Sequence, residues 1–347
     1  MNNMAPARRG LTWLGLAAAG VLGARALARR ARRMELAGAV VVVTGGSRGL
    51  GLALAREFGR LGARVAVCAR DPNELLRARD DLIRRGVDAV TIPCDVTRPA
   101  EVEALMGAVV ERWGRIDVLV NNAGVIDVGP LDTMTLDDFD RAMATNFWAA
   151  LHGTLAVLPV MRDQGLGRIV NIASIGGKLS LPHLLPYSAS KFALVGLSEG
   201  LRAELGGDGV LVTTVCPGLM RTGSPRNATF KGRHRAEYAW FSVADSLPGV
   251  SMAVDRAAQQ IVRACRDGVA EVVLSAPAKL AATVHGLAPG LVAQGLGLVN
   301  RLLPGPGGVG TRGVPGHQSQ SAVTRSWLTA LGDEAARRHN QIPPRQA

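Results

Sequence analysis

Cysteine is scarce in this 347-residue chain: Cys68, Cys94, Cys216 and Cys265 are all it has, and no two form a C-x-x-C pair. That spacing offers no thiolate metal site. The six histidines form no H-x-x-x-H pattern, so no metal is expected. Three of the cysteines fall at expected strand ends and read as reduced, packed thiols, which suits a cytosolic catalytic domain. No Gly-Lys-Ser/Thr closes the glycine loop near the N-terminus, which excludes a mononucleotide P-loop. Acidic residues are missing from residues 1–33, where seven arginines stand. Aromatics are few, with six Phe, five Trp and two Tyr, so their clustering anywhere is informative.

The formal charge of +12 is uneven. Residues 1–33 carry +7 and residues 304–347 carry +3, leaving +2 for the chain between them. A nucleic-acid binder would show a basic stripe on its folded domain. Here the basicity lies in the flanks, and no nucleic-acid partner is expected.

Ala39–Val43 is a continuous β-branched run, as a buried parallel strand requires. Thr44-Gly45-Gly46-Ser47-Arg48-Gly49-Leu50-Gly51 follows, then a helical pattern from Leu52 to Leu61. Strand, glycine turn and helix make a pyrophosphate site, because glycines let the backbone approach and the helix N-terminus meets negative charge. The next strand, Arg64–Cys68, ends at Ala69-Arg70. An acidic side chain commonly holds a ribose 2′-hydroxyl near this point. Arg70, with Arg48 in the loop, suits a 2′-phosphate instead, so NADP(H) is expected ahead of NAD(H). The alternative is a solvated Arg70 with Asp71 on the ribose.

Tyr187 and Lys191 stand four residues apart near the start of a helix expected over Tyr187–Leu205, and so share a face. A free phenol has a pKa of about 10, and a neighbouring cation lowers it. A phenol tuned in this way exchanges a proton with a carbonyl or alcohol oxygen. Ser174 ends the apolar strand Arg168–Ala173 and is placed to hydrogen-bond the same oxygen. A lone Tyr-x-x-x-Lys pair is usually just a solvated helix face; the glycine loop and Ser174, in this order, weigh against that here.

With these residues the chain resembles the short-chain dehydrogenase/reductase family, in its single-domain, non-extended branch, over roughly residues 36–275. The family's glycine motif stands at Thr44–Gly51, its aspartate motif at Asp95-Val96, and its Asn-Asn-Ala-Gly motif at Asn121-Asn122-Ala123-Gly124. Its helix asparagine is Asn146, and its Pro-Gly motif is Pro217-Gly218, with Thr222 beyond. The resemblance implies that Tyr187 is the acid/base, that Lys191 lowers its pKa and binds the nicotinamide ribose, and that Ser174 polarises the substrate oxygen. It implies that Asn146 holds a water in a proton relay. Asp95 and Val96 would meet the adenine, Asn122, Ala123 and Gly124 the ribose side, and Pro217, Gly218 and Thr222 the nicotinamide end. A homo-oligomer is also implied.

The expected fold is α/β, a doubly wound, Rossmann-like parallel sheet in one catalytic domain, with an apolar N-terminal segment and a C-terminal extension. Residues 1–35 read as a basic leader around the apolar run Leu11–Ala24, a spanning anchor or interfacial helix with the enzyme on the cytoplasmic side. Residues 276–303 read as an apolar extension, two short helices broken at Pro289 that lie on a membrane or pack on the core. Residues 304–347 read as a low-complexity, disordered tail. Between Gly223 and Pro248, Phe230, Tyr238, Trp240 and Phe241 gather in what the resemblance makes a substrate lid; the alternative is an ordinary surface helix pair with a half-buried aromatic face. The expectation is an NADP(H)-dependent oxidoreductase acting on a lipophilic carbonyl or alcohol, such as a lipid, retinoid, steroid or 3-oxoacyl compound. The rival readings are a non-catalytic NADP(H)-sensing protein on the same fold and a membrane-tethered scaffold.

Overall fold

The structure is a computed structural model and describes residues 32–342; the apolar run Leu11–Ala24 lies outside the described residues. The chain alternates strand and helix through β1 (Val40–Thr44), α1 (Gly49–Arg60), β2 (Arg64–Ala69), α2 (Pro72–Arg84), β3 (Ala89–Pro93), α3 (Pro99–Trp113) and β4 (Val118–Asn121). It continues through α4 (Leu136–Met143), α5 (Ala149–Gln164), β5 (Gly167–Ile172), α6 (Leu185–Glu204), β6 (Val210–Pro217), α7 (His234–Ser246), α8 (Val254–Arg266) and β7 (Glu271–Leu274).

All of β1 is buried, and its two-residue period feeds two cores. Val41 and Val43 pack with Phe58, Leu82 and Ile261 from α1, α2 and α8. Val40 and Val42 face the opposite layer, with Leu105 of α3 and Met161 of α5. Both faces are therefore covered, as an all-parallel sheet requires. The seven strands run parallel in the order β7-β6-β5-β4-β1-β2-β3. The order reverses between β1 and β4, and the crevice beyond the strand ends at such a point is where this architecture binds ligands.

Two local departures from expectation matter. Helix α1 begins at Gly49, so Gly49–Gly51 form its first turn; low glycine propensity hid that turn from the sequence. Between α4 and α5, residues Ala144–Trp148 form a π turn that carries Asn146.

The segment expected as a lid packs as an aromatic unit in which Phe230, Tyr238 and Phe241 are buried and Trp240 is partly so. Phe230 meets Tyr238 and Phe241 edge-on, with ring centroids 5.2 and 6.0 Å apart. Ile126, Leu181, Tyr187 and Trp240 join this cluster from the sides. Beyond β7, α9 (Ala276–Leu287) and α10 (Pro289–Asn300) form the expected helical pair. No residue of α10 is buried. Among the described residues, no helix is long and apolar enough to cross a membrane.

The expected disorder of the tail is corrected as far as Ile342. Val314–Pro315 pairs antiparallel with Thr229–Phe230, which pairs in turn with Asp127–Val128. A last helix, α11 (Ala330–Arg338), buries Ala335 and Ala336. Ala336 packs where a side chain on Gly223 would collide with it. The Gly- and Pro-rich composition offers no core of its own; the aromatic cluster and the loop after β6 provide a surface for one, so tertiary contact overrides local composition.

Candidate active site

A cleft of about 640 Å³ opens beyond the C-terminal ends of β1, β2, β4, β5 and β6. Its wall includes Gly45, Ser47, Arg48, Gly49, Leu50 and Gly51; Arg70, Asp95 and Val96; Asn122, Ala123 and Gly124; Ser174, Tyr187 and Lys191; and Pro217, Gly218 and Thr222. Of the residues expected at the site, Asn146 alone stands behind the wall, buried.

The glycine loop is held from beneath. Buried Thr44 uses its Oγ1 to accept the amides of Asn122 (3.0 Å) and Ala123 (3.1 Å). The Asn122 side chain donates to the carbonyls of Thr44 (2.9 Å) and Gly45 (3.1 Å). Asn122 thus shapes the loop as well as lining the cleft. Gly45 sits at φ 61°, and a Cβ there would lie 2.8 Å from the Ala123 Cα. A Cβ on Gly51 would strike the Gly45 carbonyl oxygen. Only glycine permits this close approach of loop and helix.

At the far end, Asp71 caps α2: its carboxylate accepts the amides of Asn73 (2.8 Å) and Glu74 (3.0 Å). Arg70 is exposed at the mouth and forms no ion pair among the described residues. Arg48 pairs with Glu74, which also accepts the Ser47 hydroxyl at 2.9 Å. Glu74 was not anticipated; an acid in the first turn of the helix after β2 was its one signal. The Asp95 carboxylate accepts Thr97 N (3.0 Å) and Thr97 Oγ1 (2.8 Å). Burial pushes its pKa up, yet the Thr97 hydrogen bonds prevail and hold it below the usual value.

The catalytic candidates converge on the opposite wall. Ser174 Oγ accepts Gly176 N at 3.0 Å, which leaves its own proton free to donate into the cleft. Lys191 is buried, donates to the Ile172 carbonyl at 2.8 Å, and lies 5.7 Å from the Tyr187 ring centroid. Burial lowers its pKa to about 8. For Tyr187 the structure departs from the expected depression. Burial raises the phenol pKa, and the Ser174 hydroxyl only partly opposes this. Tyr187 is partly buried against the aromatic cluster, and the Lys191 ammonium is directed at a carbonyl, so desolvation outweighs the Ser174 hydrogen bond.

Asn146 clamps two segments. Its Oδ1 accepts Val125 N (2.9 Å), and its Nδ2 donates to Val125 O (3.1 Å) and Ser190 Oγ (2.9 Å). Gly124 permits this, since a Cβ there would stand 2.9 Å from Asn146 Oδ1. The π turn that presents Asn146 is a known companion of functional sites and has no sequence signature. Among the described residues, no group of His, Cys, Asp and Glu is arranged to hold a metal.

A family model described as short chain dehydrogenase matches residues 39–231. The chain belongs to the short-chain dehydrogenase/reductase family of oxidoreductases. A putative ketoacyl reductase of Streptomyces coelicolor in this family is 44% identical over 185 residues, which is 53% of this chain and 71% of that protein. A short-chain dehydrogenase/reductase from Burkholderia phymatum, solved in complex with NAD, superposes with a TM-score of 0.69 at 29% identity, covering 75% of this chain and 96% of that one. Actinorhodin polyketide ketoreductase, solved with NADPH, gives 0.62 at 35% identity over 69% of this chain and 95% of that one.

Proposed function

We propose that the protein is an NADP(H)-dependent oxidoreductase that interconverts a carbonyl and a secondary or primary alcohol on a lipophilic substrate, with Tyr187 as acid/base. The observation that carries this reading is the convergence of Ser174, Tyr187 and buried Lys191 on one wall of a cleft whose other wall is the glycine loop. Solved relatives with NAD and with NADPH support a nicotinamide dinucleotide here. The residues present fit such a group, since a Cβ-free cradle at Gly45 and Gly51 lines the cleft and the N-terminus of α1 opens there, with Leu50 and Gly51 on the same wall.

The dinucleotide supplies or accepts the hydride. The protein positions the substrate and moves the proton. Ser174 donates a hydrogen bond to the substrate oxygen. Tyr187 gives that oxygen its proton during reduction and takes it back during oxidation. Burial keeps the phenol protonated near neutral pH, the form that reduction uses. Lys191, anchored on the Ile172 carbonyl, keeps its remaining protons for a ribose hydroxyl. Asn146 fixes the segment from Gly124 to Val125 against α6, and a relay water beside it is part of the proposal.

NADP(H) is supported by the engagement of Asp71 in capping and by the unpaired Arg70 at the mouth. NAD(H) is the rival, favoured by Glu74, whose carboxylate on the cleft wall suits ribose hydroxyls. A lipophilic substrate is supported by the apolar cluster against Tyr187. Contact with a membrane surface is supported by the leucines exposed along α9 and α10, Leu280, Leu287, Leu291 and Leu298. Self-association into a homo-oligomer belongs to the same proposal.

Purified protein given NADPH or NADH and a panel of apolar ketones tests this reading. Turnover with NADPH that falls by about 100-fold or more in Tyr187→Phe is expected. Equal turnover by the variant would remove Tyr187 from the chemistry. Tight dinucleotide binding without turnover on any ketone would favour the sensing role.

A further inference from the structure

Beyond α11 the chain makes one more turn, and that turn lies on the glycine loop. The His339 carbonyl accepts the amide of Gly49 at 2.8 Å. This amide opens α1 and has no partner within its own helix. Asn340 sits at φ 57°, in the left-handed region that asparagine tolerates. Its side-chain amide donates to the carbonyls of Ser47 (2.8 Å) and Glu74 (3.1 Å), and its oxygen accepts Arg77 Nε at 2.8 Å. One side chain thereby ties the glycine loop to α2. Arg56 secures the turn, reaching the His339 ring at 3.1 Å and the Arg338 carbonyl at 3.1 Å.

Gln341 completes the contact. It lines the same cleft as Tyr187 and Lys191. Its Nε2 lies 2.7 Å from where a Cβ on Gly49 would stand, at the N-terminus of α1. Its Oε1 accepts Asn227 Nδ2 from the lid side of the cleft. Gln341 therefore spans from the pyrophosphate end of the cleft to the segment before the lid helix.

We infer that the C-terminal turn His339–Gln341 is a built part of the dinucleotide site, with Asn340 the positioning residue of the glycine loop and Gln341 a further binding residue at its pyrophosphate end. The inference rests on the reading of this cleft as a dinucleotide site. The loop carries four glycines, Gly45, Gly46, Gly49 and Gly51, with little conformational preference of their own. Bonds from a distant segment hold it in one shape before the cofactor arrives, and such preorganisation increases affinity. Docking of the turn and binding of the dinucleotide are then linked, so each strengthens the other equally. Asparagine is the required chemistry at position 340. An aspartate of the same shape has no donor and would turn a negative charge toward two carbonyl oxygens.

The test uses the full chain with Asn340→Asp and Gln341→Ala, and NADPH and NADH as probes. Dissociation constants come from titration calorimetry, and hydrogen exchange is followed over residues 330–342 with and without dinucleotide. Each variant is expected to weaken binding by about tenfold, with KM for the dinucleotide changing more than kcat, and saturating dinucleotide is expected to slow exchange over 330–342 in the wild type. Thermal midpoints of both variants separate a local loss from unfolding, and Gln341→Ala, which breaks no bond to the loop backbone, tests the contact if Asn340→Asp is unstable. Unchanged or tighter binding in both variants, or exchange indifferent to dinucleotide, overturns this inference while the cofactor reading stands. A wild type that binds neither dinucleotide overturns the cofactor reading and this inference with it.

Discussion

Lys191 is buried as a cation, and that burial has a measurable effect on folding. Its pKa falls from 10.5 in the unfolded chain to about 8 in the folded one. One pKa unit corresponds to about 1.4 kcal/mol, so the charged lysine destabilises the fold by about 3 kcal/mol below the folded pKa. The sign follows from proton binding: between the two pKa values the unfolded chain holds more protons, so stability rises with pH. Above 10.5 both states are neutral and the cost vanishes. Lys191→Met keeps the length and apolar stem of the side chain and removes the charge, while leaving the Ile172 carbonyl without its 2.8 Å partner. That second loss does not depend on pH. The difference in unfolding free energy between wild type and variant should therefore shift in favour of the wild type by about 3 kcal/mol from pH ~7 to pH ~10.5. Urea denaturation of both proteins across this range, without dinucleotide, measures it. Parallel pH profiles would refute the argument and mean that Lys191 is solvated in the folded protein.

Arg70→Ala should raise KM for NADPH by about 10-fold or more while changing KM for NADH little, because one charge-assisted contact to the 2′-phosphate is lost; an equal effect on both would return the choice to NAD(H). Gly51→Ala drives a methyl group into the Gly45 carbonyl oxygen, and should abolish dinucleotide binding in calorimetry and lower the thermal midpoint. Asp245 is buried, and burial raises its pKa to about 8 against an ordinary 3.8. Its contribution is intact below the unfolded value and is lost as pH rises through the folded one. Asp245→Asn should accordingly gain stability over the wild type, growing from pH ~4 and levelling above pH ~8 at several kcal/mol; a constant difference in denaturation midpoint would refute the assignment.

Much of the site was legible because its parts are local. Val40–Val43 declares a buried strand by composition, Gly45–Gly51 follows it directly, and Tyr187 and Lys191 share a helix face through a four-residue spacing. The order of these motifs carried the family and the parallel sheet with it. Other features depend on what the segments meet. The phenol pKa of Tyr187 goes up and not down, because burial exceeds the help from the Ser174 hydroxyl while the Lys191 ammonium is directed at Ile172. Asn146 is presented by a π turn that no residue pattern announces. Glu74 faces Arg48 and Ser47 only because α2 returns beside the glycine loop.

The tail marks the boundary most clearly. By itself the sequence determined strands, glycine loop, family and with it the oxidoreductase class, since each is written in short-range spacing and side-chain type. Tertiary structure alone decided that a Gly- and Pro-rich terminus would pair with Phe230, bury Ala336 against Gly223, and bring Asn340 onto the loop at Ser47. Those contacts join residues far apart in the chain, and their energy comes from a surface that exists only once the core has formed.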